Sequence, residues 1–378
     1  MRSDGKESRQ LSAAPGGYAI SSLAWSGSGE ELVYSQNESA GFTGIVRIVR
    51  QNVTSGVAHS VLRVPHNSLA NERIFDIVSL GRVVFESSSP RQSLREVSLR
   101  GTMSSPQTRW LTHGNSQDRQ PAYSPDGEWV IFSSDRSGNL DLWEVSTKTG
   151  AVRRITDDPA DDWDPAFTPD GKHIVWTSNR TGHFEIWIAE ADGSGARQVT
   201  QHGTDAANPT ATPDGWIVYV YADVSGQYGI GKIRQDGSEA KRLAVGQGIP
   251  EASPDGHYVA QPDESDLRVI RIADGAAIPF PIQGTAFRCR WMPDGRSIVF
   301  MGTDERGVWG AFVQNFLPGE DTRRTRKPFQ GFDSDLLAAE TFGFSPNGSR
   351  MTVTSGERLD SLMMAERIPG VSPPRRMR

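Results

Sequence analysis

Short runs of apolar and β-branched residues alternate along this chain with breaks rich in Gly, Pro and Asp, most clearly at residues 121–156. There PAYS runs into a Pro-Asp-Gly turn, and EWVIFSS carries residues that suit a pleated, half-buried surface. LDLWEV then alternates apolar with polar positions, and VRRIT follows a Gly turn. Residues 164–200 repeat the order as PAFT, KHIVWTS, FEIWIAE and ARQVT. Each stretch predicts a sheet of four short strands with two apolar faces. One such sheet cannot cover both faces alone, so it needs neighbours of its own kind.

The turn marks the repeat. Ser124-Pro125-Asp126-Gly127 is followed by Thr168-Pro169-Asp170-Gly171, Thr212-Pro213-Asp214-Gly215, Ser253-Pro254-Asp255-Gly256, Met292-Pro293-Asp294-Gly295 and Ser345-Pro346-Asn347-Gly348. Pro presets φ at the first central position, Asp or Asn bonds the local backbone, and Gly takes a positive φ. These Asp and Gly residues therefore read as structural. Upstream, Trp25-Ser26-Gly27-Ser28-Gly29 stands in the same context, and a further unit fits around Ser79-Leu80-Gly81-Arg82. Eight units at a mean spacing of about 46 residues predict an all-β, closed β-propeller of eight four-stranded blades. Seven blades is the alternative if the first two units merge. The ring is expected to occupy residues 1–369 as one domain, with the polar, Pro-rich tail 370–378 disordered.

The last unit shows only three strand patterns, whereas SDGKESRQLS near the start matches the blade ending ADGSGARQVT. Residues 7–12 are thus expected to add the missing outer strand to the last blade and remove an open edge. The start has no apolar core after its charges, so it does not read as a signal peptide, and no apolar run is long enough to span a membrane. Compartment stays open: cytoplasmic as the chain stands, periplasmic if a segment precedes it. A net charge of −6 argues against a nucleic-acid surface, and the basic run at 323–327 reads as a solvated insertion. The single Cys289 alternates with Phe287 and Trp291 and reads as a buried thiol.

Loops between blades, and between second and third strands, carry most of the charge. Ser134-Asp135-Arg136 and Ser178-Asn179-Arg180, each with a Gly soon after, suit loops whose Asp or Asn caps backbone N–H groups. Their Arg is then free to pair with a carboxylate of a neighbouring loop, in an inter-blade locking role, or to meet a ligand. Asp157, Asp158, Asp161, Asp162 and Asp164 surround Trp163, which reads as exposed. The spacing is not that of an EF-hand, and a solvated acidic loop is expected rather than a metal site. No nucleophile elbow, HExxH, CxxC or phosphate loop is present, and the seven histidines are scattered singly. A channel site built from His113 and His202 is the one His pairing considered, and no cofactor is expected.

The motifs quoted, above all YSPDGEWVIFSSDRSGNLDLWEV and the stretch ending ADGSGARQVT, resemble the WD40-like, SPDG-repeat blades of the TolB-type β-propellers. The closing stretch FGFSPNGSRMTVTSGERLDSLMMAERIPG is most similar to the propellers linked to bacterial Ser/Thr kinases and winged-helix regulators. The resemblance implies a non-catalytic interaction or sensory scaffold that binds a protein or peptide over the inter-blade loop face, and a monomer is expected. On that face the candidate residues are Arg119, Arg136, Asp161, Asp162, Trp163, Asp164 and Arg180. A second class is also implied, since some propellers of this kind are lyases: an enzyme acting on a polysaccharide or glycan through a channel site.

Overall fold

A computed structural model describes residues 20–26, 29–37, 44–66, 75–79, 82–99, 107–263, 266–282, 286, 288–329 and 341–367. The chain divides into two compact units, Met1–Pro90 with Glu357–Arg378, and Arg91–Gly356. In the first unit β1 (Ile20–Trp25), β2 (Glu31–Asn37), β3 (Gly44–Asn52) and β4 (Ala58–His66) pair in chain order as one antiparallel sheet. Val33, Tyr34, Ile48 and Val49 are buried there. β5 (Phe75–Ser79) forms a hairpin with the start of β6 (Arg82–Ser98).

The second unit holds β7 (Thr108–Trp110) and five four-stranded antiparallel sheets, each in chain order. They are β8 (Asp118–Tyr123), β9 (Trp129–Ser134), β10 (Asp141–Ser146) and β11 (Val152–Arg154); β12 (Asp162–Phe167), β13 (His173–Ser178), β14 (Glu185–Glu190) and β15 (Arg197–Gln198); β16 (Ala206–Ala211), β17 (Trp216–Ala222), β18 (Tyr228–Arg234) and β19 (Lys241–Val245). Next come β20 (Glu251–Ala252), β21 (Tyr258–Asp263), β22 (Asp266–Arg271) and β23 (Ala277–Ile278), then β24 (Arg288–Trp291), β25 (Ser297–Thr303), β26 (Trp309–Asn315) and β27 (Lys327–Pro328). One more sheet joins β28 (Phe342–Phe344), the start of β29 (Arg350–Ala365), the end of β6, and β7. The described residues are thus all-β, in seven antiparallel sheets consistent with a propeller.

Seven sheets correct the expected eight blades. The stretch read as the second blade makes its predicted hairpin, with Ser79 opposite Arg82, but β6 then runs on to Ser98. Its second half pairs with β29 and β7, because Leu94 and Val97 are apolar and find fully buried places there. The strands beyond β29 in the last sheet are therefore β6 and β7. Residues 7–12, expected in that role, lie outside the described residues.

Flank burial orders the sheets of the second unit. Successive strand residues point to opposite faces, so each central strand feeds two apolar seams. On β13, Ile174 and Trp176 pack with Ile131 and Leu142 of the sheet before. Val175 packs with Ile217 and Tyr219 of the sheet after. The pattern continues: Val218 and Val220 meet Val259 and Ile270, Leu267 and Val269 meet Phe300 and Phe312, and Val299 and Met301 meet Val97, Met351 and Val353. The sixth seam joins Leu94 and Leu111 of the last sheet to Val130 and Phe132 of the first. Burying each such side chain stabilises by about 1.5–3 kcal/mol, so the seams outweigh any single polar contact.

The turns follow the same order. Ser124 Oγ donates to Asp126 (2.5 Å), whose carboxylate accepts the Glu128 N–H (2.9 Å), while Gly127 has φ 72°. Gly171 lies against Pro125, Gly256 against Pro213, Gly295 against Pro254 and Gly348 against Pro293. Gly127 lies against Pro346 in the same way. A polar bridge repeats that step: Glu96 accepts from Arg350 (3.0 Å) and from Tyr123 (2.9 Å), and Thr352 donates to Tyr123 (2.7 Å).

Two outcomes are expected. A Cβ on Gly343 of β28 would stand 2.5 Å from the Pro121 carbonyl of β8, so Gly343→Val should destabilise by about 1–3 kcal/mol. An unchanged denaturation midpoint would refute the packing of these two sheets. At the turns, hydrogen bonds from Thr168 and the Lys172 N–H hold the Asp170 carboxyl below its usual range. A depressed folded pKa adds stability above the unfolded value that is lost as pH falls through the folded one. Asn347 makes the equivalent bonds without a charge. Asp170→Asn should therefore fall a little below the parent at neutral pH and converge with it below about pH 4, whereas Asp170→Ala should lower the melting temperature further at pH 7.

Candidate functional site

The innermost strands position the site. β8, β12 and β16 each carry a register shift, between Arg119/Ala122, Trp163/Ala166 and Ala207/Thr210. At the shifts, Gln120, Asp164 and Asn208 take φ of 57°, 52° and 56°, a left-handed conformation that Asn and Asp tolerate better than most residues. The bulges bring these polar groups together. The Asp164 carboxylate accepts from Asn208 Nδ2 and, at 3.2 Å, from Arg288 Nη2 on β24. The Asp164 N–H donates to Gln120 Oε1 (3.0 Å), and the Gln120 N–H donates to Thr341 Oγ1 (2.9 Å).

Beside this cluster lies a cavity of about 200 Å³, lined among others by Asp164, Asn208, Glu251, Arg288 and Arg290. Arg290 Nη1 donates to Glu251 (2.7 Å) and Arg290 Nε to the Phe342 carbonyl (3.0 Å). Burial pushes the Glu251 carboxyl up, against the pull of Arg290 and Arg288. Burial likewise lowers Arg288, whose Nε is buried without a hydrogen-bond partner. The cavity thus presents two carboxylates, two guanidinium groups and an amide at close quarters. Such groups recognise amides and chain-end charges, and a buried carboxyl with a raised pKa is also the kind of group that moves protons.

The residues singled out from sequence take different places. Arg136 Nη2 meets both oxygens of Asp118 at 2.7 Å, and its Nε donates to Ser134. Arg180 repeats this on Asp162 (3.0 and 2.8 Å) and also pairs with Asp158. Both Arg thus pair with carboxylates of the adjoining inter-blade loops, as expected, while Asp118 and Asp162 belong to the same sheet as their Arg. The carboxylate heads the innermost strand and the Arg follows the second, so the two adjoin in the pairing of β8 with β9 and of β12 with β13. Asp118 and Asp162 are fully buried, and stripping the Arg from such a pair costs about 3–5 kcal/mol. Asp161 accepts the Leu140 N–H at 3.1 Å. Trp163 is half-buried rather than exposed, tilted against Phe184 with ring centroids 5.6 Å apart. Arg119 is buried at the β8 bulge. Of the seven, only Asp164 lines the cavity.

Asp157, at the start of the acidic loop, pairs with Arg154. Among the described residues no group of three or more His, Cys, Asp or Glu is placed to hold a metal ion. His202 bonds Tyr219 (2.9 Å) and stacks on Tyr221, while His113 tilts against Trp110; neither lines the cavity. Cys289 is buried in an apolar seam, and burial raises its thiol pKa.

Arg288, Arg290 and Glu251 were missed by reading motifs. A positional signal existed: Gln120, Asp164, Asn208, Arg288 and Thr341 each stand four residues before the first residue of a turn motif. Aligning the turns in register gathers them into one column.

The family model described as the TolB beta propeller domain matches residues 83–260. Among curated relatives, the uncharacterized protein Atu1656 of Agrobacterium fabrum is 47% identical over 47 residues, 12% of this chain and 16% of that protein. The uncharacterized peptidase YuxL of Bacillus subtilis is 43% identical over 49 residues, 13% of this chain and 8% of that one. The chain therefore spans only a small part of the curated relatives it matches. TolB from Acinetobacter baumannii is 17% identical, with a TM-score of 0.35 over 85% of this chain and 59% of that one. An oligogalacturonate lyase in complex with manganese is 13% identical, with a TM-score of 0.48 over 70% of this chain and 78% of that one. No helix among the described residues is long and apolar enough to cross a membrane. The seven antiparallel sheets and the matched family model together support a TolB-like β-propeller.

Proposed function

We propose that the chain is a non-catalytic interaction propeller whose second unit forms one closed ring of six blades, and that a protein or peptide partner docks over its cavity. Closure of the ring is supported by the seam and the turn contact that join the last sheet to the first. The observation that carries the binding reading is the lining of the cavity. Both carboxylates, Asp164 and Glu251, are held by an Arg, and among the described residues no His, Lys, Ser or Cys lines the space. Fixed donors and acceptors of this sort suit the recognition of a peptide's amides or chain end. Asp161, Asp162, Arg180, Arg119 and Arg136 set the shape of the surrounding loops, and Trp163 offers part of an aromatic surface beside them.

A second reading keeps the cavity and makes it catalytic on a uronate polymer or other glycan. Glu251, whose carboxyl burial pushes up, stands beside two Arg in the cavity and favours it. A kinase- or regulator-linked role follows from the resemblance alone.

Panning a random peptide library on the full chain separates the two readings. Recovered peptides should lose tenfold or more in affinity with Asp164→Asn and with Arg288→Gln, and less with Trp163→Ala. Undiminished binding to all three variants would refute this site. Turnover of uronate polymers, tested with and without divalent metal and abolished by Glu251→Gln, would replace the first reading by the second.

A further inference from the structure

A second charged pocket lies away from the residues of that cavity, and the insertion that builds it sets its sheet apart. Between the third and fourth strands the first four sheets of the second unit have links of five or six residues, but eleven separate β26 from β27. The link carries the basic run 323–327, which solvation was expected to account for. Arg326 is instead half-buried. Its guanidinium lies 4.0 Å from the Phe312 ring centroid and Nη2 donates to the Thr303 carbonyl (3.0 Å). Nη1 is buried without a hydrogen-bond partner. A donor held in place and left unpaired is costly unless a ligand supplies the acceptor.

That side chain lines an open pocket of about 300 Å³ together with Phe312, Lys327 and the β25–β26 loop residues Asp304, Glu305 and Arg306. Arg323 also borders it, but Asp321 takes its guanidinium at 2.5 and 3.0 Å and cancels its charge. Lys327 has no ion pair among the described residues, and Arg306 reaches Asp304 only at 3.7 Å. The remaining balance is three cations against two carboxylates, a surplus of one positive charge on a chain whose net charge is −6. One singly charged anion neutralises it, whereas a doubly charged phosphate would face repulsion from Asp304 and Glu305.

We propose that this pocket binds a carboxylate side chain of an acidic peptide segment, with Arg326 Nη1 and Lys327 as the donors and Phe312 as the apolar wall. The site is separate from the cavity and independent of the function proposed for it.

Fluorescence anisotropy of the full chain tests this with a labelled, C-amidated peptide bearing one Glu between Val residues, and its Gln and phosphoserine counterparts. The Glu peptide should bind, more weakly as salt rises, and the Gln peptide at least about tenfold more weakly. Arg326→Gln should cost a similar factor. Lys327→Glu, an exposed position where folding is not at stake, should do the same. Asp164→Asn should leave the affinity unchanged. The proposal is overturned if the Glu peptide fails to bind, if Gln binds as well, if phosphoserine binds more tightly, if both pocket variants bind normally, or if Asp164→Asn abolishes binding.

Discussion

Each sheet of the second unit is apolar on both flanks, and neither flank can be left to water. This constraint governs the rest. Val175 and Trp176, adjacent on one strand, are both fully buried because they point into different seams. A sheet at the end of a row would expose one such flank, and Leu94 and Leu111 pack against that of β9 through Val130 and Phe132. The polar bridge from Glu96 to Arg350 and Tyr123 sits at the step where chain order breaks, so it specifies which sheets meet there.

The same constraint explains why the chemistry gathers on the innermost strands. With most flank positions committed to seams, the charged groups of the candidate site stand at strand ends and at bulges. The bulges at Gln120, Asp164 and Asn208 turn one residue in each of three sheets out of the alternation. Strand ends take the second group of buried carboxylates, which their own sheet neutralises, as Arg136 does for Asp118 and Arg180 for Asp162. Charges that look alike in sequence thus do different work. Asp162 closes a loop, and Asp164, two residues on, faces a cavity.

What was legible in the sequence followed from locality. Turns and hairpins depend on neighbours a few residues apart, so the strands around Pro-Asp-Gly motifs read correctly from 121 to 215 and the hairpin at 79–82 could be found without its motif. Pairing between Glu96 and Arg350 spans 254 positions, and no local pattern announces it. The second half of β6 looked like part of a degenerate blade because its partners lie at the far end of the sequence. Trp163 looked exposed among five aspartates, yet Phe184, from the loop before β14, shelters it. Arg288 escaped notice since its turn begins with Met292 and its strand lacks the Pro that follows Gln120, Asp164 and Asn208.

Repetition also shows where selection of a site is to be sought. Where turns, seams and clasps recur, a residue is accounted for by its place in the repeat, as Gly127 and Gly171 are by the prolines they touch. The informative residues are those in a repeated position with an unrepeated identity. The column four residues before each turn holds Gln, Asp, Asn, Ile, Arg and Thr at positions 120, 164, 208, 249, 288 and 341. Packing alone would favour a uniform choice there, since these residues hold the same place in each repeat. A mixture of one acid, one base, two amides, a hydroxyl and one aliphatic residue instead makes a directional pattern of donors and acceptors, which the repeat itself does not require.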